Sequence, residues 1–419
     1  MEPSSSCLTV PAGVYEIGGM HFEMVTPAFA QAVADAHAAH QRVRCLCLPE
    51  GGGVPMYVAR LGEGFIVKRM PETGSLHAAQ CPSYEPPAEF SGLGQVLGSA
   101  IKEDPASGST TLLLDFALSN AAGRSAGPIP GGQRDSVASD GTRLSLRGLL
   151  HYLWDEAELT RWQPGFAGKR SWATVRKLLL QAAQDKVLRG STLQDLLYIP
   201  ETFSLEHREA LSARRTARWA QAAALPGKAQ PLLLLIGEVK EIMPARYGFK
   251  AVIKHVPDQG FALDEGLYRR LGRRFEPELA LWAASENLRM IIIATFGINS
   301  AFAPSLLELS LMPVTSHWLP VEDAFELQLI EYLAGQGRSF VKGLRYNLHR
   351  SEAVASAILT DTPESPVPLI IESAPDGEGT AGRAGLWPGP EASSSSPPWV
   401  WRARLGEMPA IPKALVHGG

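Results

Sequence analysis

Cys45 and Cys47 stand two positions apart, and His77 and Cys81 follow in the stretch "HAAQC". This spacing constrains the fold more than any other feature of the chain. In an extended strand, residues i and i+2 face one side, so both thiols can converge on one point. On a helical turn, i and i+4 share a face, so His77 and Cys81 can do the same. Between the pairs, "VPMYVARLGEGFIVKRM" alternates over 54–70, with Gly62 and Gly64 bracketing a turn. That pattern predicts a hairpin that returns the second pair to the first. Three thiolates and an imidazole make a tetrahedral zinc set, and four protein ligands leave no position open for water, so its role is structural. The competing reading is that these are buried, reduced core cysteines. A Cys45–Cys47 disulfide does not suit an extended strand, where such residues sit about 6.5 Å apart. No Cys-x-x-Cys redox motif is present.

The chain has 4 cysteines in 419 residues, too few for a disulfide framework, and Cys7 lies outside the set. The start "MEPSSSCLTVPAG" lacks a basic region followed by an apolar run, so no signal peptide is expected. Apolar runs such as "PLLLLIG" are too short to span a bilayer. A soluble cytoplasmic protein with no membrane partner is the expectation. A net charge of -4 offers no global basic field, so any nucleic-acid surface has to be a local patch.

The length allows two or three domains, and the pattern predicts a multidomain α+β chain. An N-terminal module with the Cys/His zinc site covers 1–118. It opens with an Ala-rich helix over 24–40, with Thr26 as cap and Pro27 at its first position. Residues 119–141 are Gly-, Ser- and Pro-rich and predict a linker. A helical module spans 142–225. Its helices are 145–159 behind Ser145, 171–188 behind Ser171, and a short "TLQDLL" after Gly190. The last two can make a helix-turn-helix. A mixed α/β region follows over 230–373, with one long helix expected for "DEGLYRRLGRRFEPELALWAAS". Residues 374–419 read as a mobile tail, in which "WVWRARLGEMPAIP" can dock.

The stretches "CLC", "GVPMYVARL", "HAAQCPSYEPP", "SGLGQVLGSAI", "LRGLLHYLW", "LLIGEVKEI" and "FVKGLRYNL" together resemble an uncharacterised bacterial family, domain of unknown function 1173. The resemblance runs over roughly 40 to 360. Its three marker cysteines match Cys45, Cys47 and Cys81, and the resemblance implies a setting on integrative conjugative elements and plasmids. It supplies no mechanism.

Cations interleave with aromatics in the helical module at Arg161, Trp162, Lys169, Arg170, Trp172, Arg176 and Lys177, a pattern suited to phosphate contact and stacking. Further basic clusters contain Arg273, Lys342 and Arg345. The plain alternative is a solvated helix face with tryptophans in the core. Catalysis has weaker support. A restriction-endonuclease-like nuclease places paired carboxylates and a lysine around a divalent metal. Residues 321–373 offer Glu326, Asp361 and Glu372, with Asp361 and Glu372 expected side by side, but Ala374 stands where the lysine belongs. Glu238 and Lys240 form a second Glu-x-Lys without a nearby aspartate. No phosphate loop and no nucleophile elbow occur. The sequence therefore favours a nucleic-acid-associated, zinc-binding accessory protein of a mobile or conjugative element, without catalysis and with DNA and other mobile-element proteins as the expected partners, over a metal-dependent nuclease of restriction-endonuclease-like fold, active or degenerate, or a protein–protein scaffold.

Overall fold

The computed structural model describes residues 13–24, 26–48, 51–62, 64–120, 141–188, 190–224, 227–372 and 398–415. The linker expected over 119–141 falls largely outside them, as do most of the glycine-rich part of the tail and Cys7.

Mixed α and β structure is built as several sheets. The N-terminal sheet is antiparallel throughout, in the order Met20–Glu23, Val14–Ile17, Val43–Cys45, Val54–Leu61, Gly64–Arg69. Its last two strands are the expected hairpin. Helix Pro27–Ala38 packs on it, with Thr26 at its N-cap and Pro27 in its first turn. Alternation along the strands sends Tyr15, Ile17, Val43, Cys45, Val54 and Met56 into one small core, which also holds Cys47, Cys81 and Tyr84.

Two helices begin where serine caps predict. Ser145 accepts a hydrogen bond from the Gly148 amide, and Ser171 accepts from the Thr174 amide. The second helix is shorter than the sequence suggests. It ends at Ala182, and Lys186–Leu188 becomes a strand parallel to Ser109–Leu112. The expected helix-turn-helix does not form: a small hairpin, Lys186–Leu188 with Ser191–Thr192, intervenes, and the helix after it is only Leu193–Leu196. A four-residue helix is too short to read a groove.

Residues 233–314 close into a barrel. Leu233–Pro244 pairs with Phe249–Ile253, that strand with Gly260–Leu263, and that one with Pro304–Val314. Pro304–Val314 pairs with Arg289–Ile298, which returns to Leu233–Pro244. All contacts are antiparallel except Gly260–Leu263 with Pro304–Val314. The first strand serves two neighbours because a register shift between Val239 and Glu241 bends it. Between the third and fourth strands the single helix expected is two, Glu265–Arg274 and Glu276–Ala284, broken at Phe275 with Pro277 in the first turn of the second.

The continuous apolar runs of the barrel have a simple cause. Leu233, Leu235, Met290, Ile292 and Phe296 point into the barrel, while Leu234, Ile236, Ile291 and Ile293 point into a second core with Leu149, Leu153, Trp154 and Trp172. Both faces of these strands are covered, so no polar alternation is needed.

A further sheet has the order Trp399–Arg402, Val367–Glu372, Ala357–Leu359, Phe340–Lys342, Arg161–Trp162. The docked segment of the tail is thus an edge strand, parallel to Val367–Glu372. Helix Ala324–Gly335 covers this sheet through Leu329, Ile330 and Leu333.

Candidate metal centre

Cys45 ends the strand Val43–Cys45, paired with Tyr15 on one side and Val54 on the other. Cys47 follows two residues on and turns its thiol the same way. The hairpin brings Arg69 back beside Met56, which lies beside Val43. From there the chain makes a short 3-10 turn, Gly74–Leu76, and delivers His77 at its C-cap. Cys81 is placed by a turn in which its amide donates to the Ala78 carbonyl at 2.8 Å. His77 is extended, with φ -80° and ψ 157°, so the helical turn expected for "HAAQC" is replaced by a loop that achieves the same convergence.

All four side chains are buried, and their ligand atoms lie within 4.8 Å of one another. Cys45 Sγ is 3.7 Å from Cys81 Sγ. His77 Nδ1 is 3.4 Å from Cys47 Sγ and 3.7 Å from Cys81 Sγ. These three distances match edges of a coordination tetrahedron: bonds of about 2.3 Å to sulfur and 2.0 Å to nitrogen give S–S edges of about 3.8 Å and S–N edges of about 3.5 Å. A disulfide is excluded, because the three thiols are free and 3.7 Å is far beyond a sulfur–sulfur bond. The donor set therefore fits a metal ion.

Electrostatics divide the neighbouring thiols: hydrogen bonds with Cys47 and Cys81, and then burial, push the Cys45 thiol well up. The Cys47 thiol is held well below the usual range by its hydrogen bonds with Cys45 and Cys81, then with His77 and the Ala78 amide. Burial by itself would lower His77, but its contacts with Cys47 and Cys81 outweigh that and push it up to about 9. The Ser83 amide donates to Cys81 Sγ at 3.4 Å. Amide donors of this kind stabilise thiolate charge. Among the described residues, His77 Nε2 has no hydrogen-bond partner.

The other residues singled out from the sequence lie elsewhere. Lys342 and Arg345 are buried and paired with Glu326 and Glu322, at 2.9 and 2.8 Å. Arg161 donates to the carbonyls of Pro82 and Tyr84. Arg170 donates to those of Leu159, His317, Glu158 and Arg161. Arg176 Nε donates to the Ile199 carbonyl at 2.9 Å. Lys169, Lys177 and Arg273 are exposed. Cation–aromatic interleaving in this region thus serves largely to tie the core to itself, with Trp172 Nε1 donating to Pro200 and Arg170 lying over Trp162.

The expected pairing of Asp361 with Glu372 is not formed. In the antiparallel register Leu359 faces Val367 and Ala357 faces Leu369, so Asp361 continues past one end of the ladder and Glu372 past the other. Asp361 is gripped by Arg338 and Glu372 by Arg402. Glu326 is engaged with Lys342. Glu238 is buried against Lys254 and Arg289, at 2.8 and 3.0 Å.

Comparison with known proteins adds one match. The family model described as protein of unknown function (DUF1173) matches residues 15–404. No curated protein and no solved structure matches the chain. Among the described residues, no helix is long and apolar enough to cross a membrane.

Proposed function

The chain belongs to the DUF1173 family of proteins of unknown function, and from its donor set we propose that it carries one structural zinc ion at Cys45, Cys47, His77 and Cys81 and acts as a nucleic-acid-associated accessory protein without catalysis of its own. The tetrahedral spacing of three sulfurs and one nitrogen carries this reading. Three thiolates select a soft or borderline ion, and zinc prefers this geometry. With four protein ligands the ion holds no water, so it welds the strand end at Cys45 to the loop at Cys81 and leaves chemistry out. Unpaired thiols of this kind suit a reducing compartment, in keeping with a cytoplasmic protein of a mobile or conjugative element.

Two further observations support the reading. Each nuclease-like carboxylate has a cationic partner, Arg338 on Asp361, Lys342 on Glu326 and Arg402 on Glu372, and the first two are largely buried with theirs. The region 233–314 is a closed five-stranded barrel, an architecture in which oligonucleotides and oligosaccharides bind on the face of the second and third strands. A shared architecture by itself does not carry a shared function.

Elemental analysis of the purified full chain tests the centre. About one zinc per chain is expected, lost in a Cys45→Ala, Cys81→Ala variant. A chain free of metal after purification without chelators, and equally stable with and without added zinc, would overturn it. Retention on DNA at low salt tests the association, since cationic contacts with phosphate weaken as salt rises.

A further inference from the structure

We propose that the outer face of strands Phe249–Ile253 and Gly260–Leu263, walled by Tyr247 and Phe302, binds single-stranded nucleic acid. The inference rests on the nucleic-acid reading above and gives it a place on the molecule.

The barrel register brings two loops to one patch. Met243 pairs with Lys250, Lys250 with Ala262, and Ala262 with Ser305. This row crosses four strands. The loop 245–248 stands at its Met243 end and the loop 299–303 at its Ser305 end. Alternation puts Ala251, Ile253, Phe261 and Leu263 inside the barrel. Lys250, Val252, Gly260 and Ala262 are therefore on the outside. The floor is low: Gly260 has no side chain, Ala262 and Ser305 have small ones, and the Lys250 stem lies across Gly260.

Each wall carries one large, exposed aromatic ring. Tyr247 is 82% exposed and Phe302 is 78% exposed. Neither ring contributes to a core cluster, and hydrophobic burial explains the position of neither. Both loops hold them outward by local structure. Gly248 takes φ +78°, and a Cβ there would come within 2.7 Å of the Leu263 carbonyl, so the turn hugs the third strand and Tyr247 is left outside. Phe302 has φ 57°, unusual for an aromatic residue. Asn299 holds it there: its side chain accepts from the amides of Ala301 and Ala303, both at 2.9 Å.

The charge of the patch selects the ligand. Arg246 lies over the Tyr247 ring at 5.3 Å. Lys250 sits between the two walls. Neither has a carboxylate partner among the ion pairs of the described residues, unlike Lys254, which is committed to Glu238. Two acids border the patch, Glu241 beside Val252 and Asp264 against Gly248. Two stacking rings on either side of a small-residue floor with unpaired cations match bases and phosphates of an unpaired strand. An uncharged oligosaccharide would use the rings and leave the cations idle. A duplex hides its bases from both rings.

Fluorescence anisotropy with labelled oligo(dT) and oligo(rU) of about 15 nucleotides, and with a duplex of equal length, tests this on the full chain. Single strands are expected to bind more tightly than the duplex, and the two oligonucleotides separate DNA from RNA. Tyr247→Ala and Phe302→Ala should each weaken binding about 5- to 100-fold. Lys250→Ala should lower the salt dependence by about one phosphate contact. Unchanged thermal unfolding of these exposed-site variants separates lost contact from lost fold. If single strands bind and the Tyr247→Ala, Phe302→Ala double variant binds equally well, the site is elsewhere and only this inference falls. Equal binding of duplex and single strand overturns it as well. If neither nucleic acid binds at low salt, the nucleic-acid reading itself falls.

Discussion

Lys342 Nζ lies 2.9 Å from Glu326 Oε1, and both residues are almost wholly buried, at 3% and 5% exposure. The pair joins helix Ala324–Gly335 to strand Phe340–Lys342. Each has one further partner: Lys342 donates to the Gly343 carbonyl at 2.5 Å, and Glu326 Oε2 accepts from the Glu322 amide at 2.7 Å. Burial pushes the Glu326 carboxyl up, against the pull of Lys342. Two residues that read as a nucleic-acid contact and a metal ligand are thus each other's counter-ion.

Removing one partner of such a pair strands a buried charge. Lys342→Met is expected to cost about 3–5 kcal/mol of stability, and the double variant Lys342→Met, Glu326→Leu to regain most of it. Denaturant midpoints of the two single variants and the double variant close the cycle. A Lys342→Met protein within about 0.5 kcal/mol of the parent would contradict the assignment.

Metal removal should act locally. Cys45, Cys47 and Cys81 share a core with Tyr15, Val43, Met56 and Tyr84, whereas strand Arg289–Ile298 lies in other cores. With a strong chelator, amides of Val43–Cys45 and Val54–Leu61 are expected to lose hydrogen-exchange protection while those of Arg289–Ile298 keep theirs. Exchange that ignores the chelator everywhere would mean that the cysteines are ordinary core.

Local features were legible in the sequence, and long-range ones were not. Ser145 and Ser171 announce their helices because a cap followed by helical apolar spacing is a signal contained in a few residues. The Cys/His set was legible because strand period, hairpin and turn all point inward at once. Strand Pro304–Val314 was missed, since its inner and outer faces are both largely buried and its register shifts near Thr295 and Phe296. Barrel closure depends on Ala262 meeting Ser305, a contact that no local pattern encodes. Spacing also cannot tell a solvated cation from a buried one, which is why Lys342 and Arg345 looked like surface. Exposed aromatics in short loops between strands, Tyr247 before Gly248 and Phe302 after Asn299, were the available signal for the barrel face.

His151 makes a pH prediction. It sits on helix Leu146–Glu156, and its Nδ1 accepts from the Tyr346 amide at 3.0 Å. Burial, and then the Arg147 charge, push it down to about 3. An unfolded histidine takes up its proton near pH 6.5. Between about 3 and 6.5 the unfolded chain binds the extra proton, so stability falls as pH drops through that window. His151→Asn keeps an acceptor for the Tyr346 amide and removes the titration. Its stability curve is expected to be shallower there by up to about 1.4 kcal/mol per pH unit. Parallel curves for variant and parent would remove His151 as the cause.

Asp361 separates a structural carboxylate from a catalytic one. Arg338 grips both its oxygens, Nε at 2.9 Å and Nη2 at 2.7 Å, and the Ser339 amide adds a third bond at 2.9 Å. The same arginine donates to the Pro412 carbonyl at 2.7 Å, and the Leu415 amide donates to the Asp361 carbonyl at 2.6 Å. The residue therefore fastens the end of the chain to the sheet. Asp361→Ala leaves the mostly buried Arg338 without its counter-charge and should cost about 3–5 kcal/mol. It should also expose residues 398–415 to proteolysis. Glu372→Ala breaks only the exposed pair with Arg402 and should cost about 1 kcal/mol or less. Neither change should alter the cleavage of single- or double-stranded DNA in magnesium or manganese. Cleavage present in the parent and abolished by Asp361→Ala, in protein shown to be folded, would make Asp361 a metal ligand and the chain a nuclease.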